Sequence, residues 1–490
     1  MTDREIRTQV VVVGAGNAAM AAAVAARETG AEVIVLEKAP QAHRGGNSAL
    51  TIQMRFPYSG VDELLPLIPD LSAREEGEMR EQVAGYSEQE YWDDIMSVTE
   101  GLSDKALAGT LVRQAYPTVE WMRGLGHEWE PTFKNPLSAN AVSFAGGGYN
   151  LLERWFAAGR RLGIEVHYEA RATELVQDSQ GIVTGVRVLR PSGFHTYHAE
   201  AVVLACGSFE SSPEMRARYL GTGWDSVKLR GVPYNTGDGL LMALGIGALP
   251  YGSWTTCHAS PQDFKRPAYD LPGPGVAGDY WSRYAYPYSV MVNLDGRRFV
   301  DEGATWRGLT YARMGRAILA QPEAKAFQVF DAKHRDMGIL ERYQDAAVVR
   351  ADSLEALGRG LGIRDVATFV ATLREYNAAV LPGDFDAFRP DGKEAANIDP
   401  PRRNWALPID SPPFEGYAVT CGMTFCYGGL QISSEGEVLH TLDRPIPGLY
   451  AAGEMVGGLW AWNYPSGGGM MAGAVFGRIA GRAAGRFAAV

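Results

Sequence analysis

Four consecutive valines, Val10 to Val13, run directly into "GAGNAA" and then into an alanine-rich segment that lasts to Glu28. A β-branched run beginning at Gln9, a glycine turn and an apolar helix in immediate succession predict a strand, a tight turn and a helix packed back on the strand. The turn has the GxGxxA spacing, with Gly14, Gly16 and Ala19 at its marked positions. Gly14 permits the sharp turn, Gly16 lets backbone approach a pyrophosphate, and Ala19 lets helix and strand pack closely. The helix amino terminus then presents free N–H groups and the positive end of its dipole to phosphate.

Gly30 ends that helix, and "AEVIVLEK" supplies a second strand with Glu37 at its tip. An acid about 20 residues past the glycines is placed to bind both ribose hydroxyls of an unphosphorylated adenosine. Straight afterwards comes "RGGNSA", where Gly45 and Gly46 bring backbone close to a cofactor and Asn47 and Ser48 are able to hydrogen-bond it. This second glycine turn favours FAD over NAD. Asn17, Ala18 and Lys38 complete the expected amino-terminal cofactor set.

A chain of 490 residues is too long for one ordinary core, so two domains, or one domain with a large insert, are expected. The net charge of −11, with no basic stripe, argues against nucleic acid as a partner. Cys206, Cys257, Cys421 and Cys426 form no CxxC pair and no metal-type spacing with His, so neither a disulfide framework nor a metal site is expected. The absence of CxxCH excludes a fused c-type haem. Two glycines and Asn17 interrupt the first apolar run, and Asp3 and Glu5 precede it, so it reads as neither signal peptide nor transmembrane segment. A cytoplasmic protein is expected.

Further motifs follow in order: "AVVLACGSFESSPEM" from Ala201, "NTGDGLLMA" from Asn235, "VNLDGRRFVDE" from Val292, "REYNAAV" from Arg374 and "PIPGLYAAGEMVGG" from Pro445. With "GGNS", this series resembles the fumarate reductase and succinate dehydrogenase flavoprotein superfamily over nearly the whole chain. The resemblance implies an α/β fold: a Rossmann-type FAD-binding domain of the glutathione reductase kind, with an α+β capping domain inserted over the flavin. It places Ala205, Gly207 and the turn ending at Asp238 beside FAD, and Gly453 and Glu454 by its ribityl chain. The cofactor is expected to be bound non-covalently, although His43 lies near the turn closest to the isoalloxazine.

The expected divisions are residues 1–252 and 423–490 for the FAD-binding domain and 253–422 for the capping domain. The insert combines aromatic, irregular sequence from Tyr251 to Tyr288 with a helical stretch from Ser353 to Val380. The Pro-rich "DPPRRNWALPIDSPPF" reads as the linker back. A cleft between two domains is the default place for substrate.

Three positions separate this chain from the dicarboxylate reductases it resembles. Trp306 stands four residues past Glu302, where they place a catalytic arginine, with Arg307 one further. Thr424 and Phe425 stand in place of their histidine pair, and Tyr464 in place of the arginine before the last glycines. His258 matches a substrate-binding histidine, and Phe425 and Trp306 are expected to line the substrate with it.

The tail "NYPSGGGMMAGA" is instead similar to that of 3-ketosteroid dehydrogenases, where a tyrosine hydroxyl and a glycine N–H four residues on bind the ketone oxygen. The matching residues are Tyr464 and Gly468. Loss of a proton alpha to a carbonyl makes an enolate, which two such donors stabilise, at about 3–4 kcal/mol per donor in favourable cases. The helix amino terminus at Gly469 and Met470 is expected to face the flavin. Tyr427 is the expected base, with Tyr286, Tyr311 and Arg307 as alternatives.

Other segments, among them "RGVPYNTGD", resemble tricarballylate dehydrogenase, and Arg55 in "TIQMRF" matches an arginine of that group able to clamp a carboxylate. Both resemblances imply an FAD dehydrogenase that introduces a C=C bond beside a carbonyl or carboxylate by alpha-proton abstraction and beta-hydride transfer. The expected substrate is a small ketone or ketone acid such as 4-oxocyclohexanecarboxylate, and the expected electron acceptor is oxygen, a quinone or a redox protein. A tricarballylate-type carboxylate dehydrogenase and a non-catalytic flavin-binding subunit are the alternatives.

Overall fold

The first three motifs build one sheet. In a computed structural model, which describes residues 4–135, 138, 140–274, 280–343 and 346–489, Val10–Val13 forms a strand at the centre of a six-stranded sheet. It lies parallel to Val33–Leu36 on one side and Ala201–Leu204 on the other. Glu165–His167 extends the sheet beyond Val33–Leu36, and Arg444–Ala451 then Glu437–His440 extend it beyond Ala201–Leu204. All but Glu437–His440 run parallel, and the central strands are buried on both faces, which is why they read as unbroken apolar runs.

Two helices cross on one side of this sheet because their touching faces have almost no side chain. Asn17–Glu28 packs along Gly468–Phe487, whose Gly473, Gly477, Gly481 and Gly485 recur every four residues and so share one face. A methyl group at Gly481 would sit 2.0 Å from the Ala22 carbonyl oxygen, and one at Gly477 2.4 Å from that of Ala18. The carboxy-terminal helix therefore locks the glycine turn in place.

A second sheet of four strands, Arg4–Arg7, Gly193–His198, Val183–Arg190 and Arg171–Gln177, flanks the first. The third sheet belongs to the inserted region. Its spine is Phe414–Leu430, which pairs with Lys325–Phe330, Val348–Ala351, Lys228–Leu229 and the long strand Pro250–Asp263. The points 252/253 and 422/423 fall inside Pro250–Asp263 and Phe414–Leu430, which pair with each other from Pro250↔Leu430 to Asp263↔Val419. A two-stranded bridge thus spans both expected divisions.

The helical stretch expected from Ser353 to Val380 is two helices, Leu354–Leu361 and Val366–Ala379. Gly362 caps the first in the left-handed region (φ 75°), and Asp365 starts the second by accepting from the Thr368 N–H. The Pro-rich segment is a packed strap. Arg402 is buried there and donates to the carbonyls of Pro287, Ser289, Asn404 and Trp405.

Candidate active site

A cleft of about 1510 Å³ opens where the parallel strands end. One end is walled by the first glycine turn. Gly14 has φ 104°, and a methyl group there would lie 2.5 Å from the Ala205 carbonyl oxygen, so the turn itself demands glycine. At Gly16 a methyl group would meet only the Ser48 hydroxyl at 3.4 Å and the Gly45 carbonyl at 3.5 Å. Its bareness leaves room beside the wall rather than relieving a protein clash.

Side chains brace that wall. The Asn17 N–H donates to the Ser48 hydroxyl (3.2 Å), and Asn17 Nδ2 donates to the Met470 carbonyl (2.8 Å), tying the turn to the carboxy-terminal helix. The buried Glu37 accepts from the Ala39 N–H at 2.7 Å, while burial pushes its carboxyl above the usual range. Lys38 Nζ contacts Asp238 at 2.9 Å, and Arg171 reaches the same carboxylate at 2.8 Å. These two cations hold the Asp238 pKa down against the opposing effect of burial.

Deeper in the cleft Glu454 accepts from the Cys426 N–H (2.7 Å), beside the fully buried Glu210. Burial of the two carboxyls together pushes Glu210 up to about 7 and Glu454 well above its ordinary value. The donor atoms of Glu210, Cys426 and Glu454 lie within 4.8 Å of one another.

The other end is aromatic. Phe425, Trp460 and Tyr464 line it together with Thr424 and Arg230. Tyr464 sits on Phe425 (ring centroids 5.0 Å) and Trp460 (5.7 Å), and its hydroxyl lies 2.5 Å from that of Tyr311. Burial raises the pKa of both phenols, so both are hydroxyl donors at neutral pH. Gly469 and Met470, in the first turn of the carboxy-terminal helix, close the cleft between the two ends. Among the described residues no backbone acceptor takes their N–H groups, as expected for a helix amino terminus.

The model of a family described as "FAD binding domain" matches residues 9–51 and 77–470. The chain belongs to this family. It is an FAD-dependent oxidoreductase acting on CH–CH groups, of the fumarate reductase and succinate dehydrogenase flavoprotein superfamily. It is 28% identical over 482 residues to a probable fumarate reductase of Shewanella frigidimarina, covering 96% of this chain and 74% of that one. It is 27% identical over 503 residues to a vinyl phenol reductase of Lactiplantibacillus plantarum, covering 95% and 94%. The fold is also that of a 3-ketosteroid-Δ4-(5α)-dehydrogenase from Rhodococcus jostii RHA1, with a TM-score of 0.72, 21% identity and 99% and 98% coverage.

The bare glycines, the first-turn N–H groups and the buried Glu37 fit the pyrophosphate, flavin and ribose of this cofactor. Gly14, Gly16, Asn17, Ala18, Glu37, Lys38, Gly45, Gly46, Asn47, Ser48, Ala205, Gly207, Asp238, Gly453, Glu454, Gly469 and Met470 all line the flavoprotein's cleft. Ala19 does not; it is wholly buried in the first turn of the helix Asn17–Glu28. The carboxylate of Asp238 is already held by Lys38 and Arg171. Asn47 lines the cleft, but its side chain is spent on protein: Nδ2 donates to Glu210 and the Thr424 carbonyl at 2.8 Å each, and Oδ1 accepts from Val232 N–H at 2.8 Å. Asn47 is a clasp between the two regions rather than a hydrogen-bond donor to FAD.

The substrate expectations need more correction. Gly468 does not line the cleft, and its N–H donates to the Pro465 carbonyl at 2.9 Å, closing the turn instead of binding a ketone. Tyr427 lies outside the cleft, its buried hydroxyl has no partner among the described residues, and burial pushes its pKa well above 10. It is not poised as a base. Tyr286 is likewise buried and raised, with its hydroxyl on Thr310.

Arg307 stacks over Tyr284 and Tyr311 (5.0 and 5.4 Å to the ring centroids) and faces a separate cavity of about 710 Å³. His258 is fully buried, stacked on Phe425 at 5.4 Å, and burial lowers its pKa; Phe425 stands between it and the cleft. Arg55 ion-pairs with Asp94 at 2.9 Å, donates to the Ser466 carbonyl, and stacks against Trp306, so both lie behind the Tyr464 turn. A single sequence showed none of these long-range partners.

Two groups on the lining carried no usable signal. Ala170 and Ala172 flank Arg171 in an ordinary strand sequence, and Arg230 heads "RGVPYNTGD", a segment that carries a family resemblance but does not by itself mark its arginine as a site residue.

Proposed function

We propose that this flavoprotein desaturates a small ketone next to its carbonyl. The substrate changes from CH–CH–C=O to C=C–C=O: the alpha hydrogen leaves as a proton that is released to solvent water, and the beta hydrogen leaves as a hydride carrying two electrons. FAD, when bound, supplies the hydride acceptor and is reoxidised by oxygen, a quinone or a redox protein. The observation that carries this reading is Tyr464, a residue of the cleft wall whose hydroxyl is paired with the Tyr311 hydroxyl at 2.5 Å.

Two neutral phenols in series make a directional donor. Tyr464 gives its proton to the hydrogen bond with the carbonyl oxygen, and Tyr311 donates to Tyr464. As negative charge grows on that oxygen the pair strengthens, because charge-assisted hydrogen bonds are roughly twice as strong as neutral ones. Phe425 and Trp460 wall the same end with apolar surface and exclude water, which increases the effect. The likeness in fold to a ketosteroid dehydrogenase supports the reading.

Anaerobic mixing of the yellow protein with a panel of small ketones, ketone acids and tricarballylate tests this. Ketones should bleach the oxidised flavin. Bleaching by tricarballylate alone would replace the reading with carboxylate dehydrogenation, and no bleaching by any of them would favour a non-catalytic flavin-binding subunit.

A further inference from the structure

The cleft holds a cation that the ketone chemistry does not use. Among its described lining residues, Lys38 and Arg230 are the only lysine and arginine. Lys38 is at the Glu37 end and bound to Asp238. Arg230 is at the aromatic end. It follows the strand Lys228–Leu229, which pairs in parallel with Gly422 and Met423, and its N–H donates to the Met423 carbonyl at 2.7 Å. That register sets the side chain beside the next residue of the long strand, and Arg230 Nη1 donates to the Thr424 hydroxyl at 3.3 Å.

Thr424 and Arg230 thus share one wall with Phe425 and Tyr464. The charge is felt at the site, since Arg230 lowers the pKa of Tyr464 and of His258, in each case as a lesser influence than burial. Arg55 and Arg307 do not offer an alternative, because neither lines this cleft.

We infer that Arg230, with the Thr424 hydroxyl, binds a carboxylate on the substrate, so that the substrates are small keto acids rather than neutral ketones. This rests on the ketone reading above. A guanidinium and a hydroxyl on one wall match a planar carboxylate, and Tyr464 then fixes the ketone at the other end of the same small molecule. Two polar anchors on a compact substrate determine which CH–CH bond is presented, which one ketone contact alone does not.

The test compares 4-oxocyclohexanecarboxylate with its uncharged methyl ester in anaerobic flavin bleaching, and adds benzoate, a carboxylate with no CH–CH bond to oxidise. In the wild type the acid should half-saturate at about tenfold lower concentration than the ester. Arg230→Gln should raise the acid's half-saturation at least about tenfold, leave the ester's within about twofold, and keep FAD bound. Arg230→Lys, which retains the charge without the fork, should fall between.

Equal half-saturation of acid and ester in the wild type overturns the inference and spares the ketone reading. So does an equal shift of both in Arg230→Gln, and loss of FAD from that variant would place Arg230 with the cofactor. If neither compound bleaches but benzoate perturbs the oxidised flavin spectrum in wild type and not in Arg230→Gln, the carboxylate site stands and the ketone reading falls. No bleaching and no benzoate effect removes both.

Discussion

The hydroxyls of Tyr311 and Tyr464 lie 2.5 Å apart although 153 residues separate them in the chain. One begins the helix Tyr311–Leu319 of the inserted region, and the other precedes the carboxy-terminal helix. If Tyr464 donates to the ketone, Tyr464→Phe lowers the anaerobic bleaching rate at least about tenfold with FAD content unchanged. Tyr311→Phe leaves the primary donor and should lose less. Wild-type rates in Tyr464→Phe would return this ring to a packing role.

Arg55 is a structural cation in this fold. Its side chain is nearly inaccessible and paired with Asp94. Arg55→Leu strands the partly buried carboxylate and should cost about 3–5 kcal/mol in chemical denaturation. The ratio of half-saturation for acid and ester should stay at the wild-type value. A change confined to that ratio, without loss of stability, would restore Arg55 as a substrate clamp.

The glycine stripe of the carboxy-terminal helix makes a sharper claim. Gly481→Ala puts a methyl group 2.0 Å from the Ala22 carbonyl oxygen, and the two helices must separate. Overpacking of this kind costs about 1–3 kcal/mol. Because the Asn17 end of the partner helix carries the pyrophosphate turn, the variant should also release FAD more readily, read by fluorescence of freed flavin. Gly245→Ala, where a methyl group meets nothing within 4 Å, is the control.

Stability of the apoprotein should fall between acid and neutral pH in part through Glu210. Its ordinary pKa is 4.5, and burial beside Glu454 raises it to about 7 in the fold. The folded chain therefore binds this proton more tightly than the unfolded chain. The contribution is full below about pH 4.5 and is lost as the pH rises through about 7. Asn235 and Asn47 donate to the same carboxyl, and Arg216 adds an attractive charge. Glu210→Gln should flatten this decline in thermal melts recorded from pH 4.5 to 7.5; an unchanged slope would assign the proton elsewhere.

Asn47 offers a test of how the two regions are joined. Its side chain makes three hydrogen bonds, to Glu210, Thr424 and Val232. Asn47→Ala leaves buried groups unpaired at about 1–3 kcal/mol each and should speed amide exchange at Val232. Protection equal to wild type there would mean that the strand bridge alone holds the halves together.

Much of the cofactor cradle was readable along the chain. Strand, glycine turn, helix and terminal acid are neighbours in sequence, and the glycines at positions 14 and 16 answer to local backbone geometry and to a ligand pressed against them. The parallel order of the central sheet follows from the same motifs. What spacing does not encode is which distant side chain meets which. Arg55 looks like a clamp until Asp94 is packed beside it, and Gly468 looks like a donor until its N–H is seen on Pro465. Arg230 heads "RGVPYNTGD" without being marked there as a site residue, and it reaches the cleft because a two-residue strand pairs with a partner 194 residues away. Hydrogen bonds and ion pairs of that range are chosen by burial in the packed chain, where an unpaired charge is costly, and so they emerge only when the sheets and helices have closed on one another.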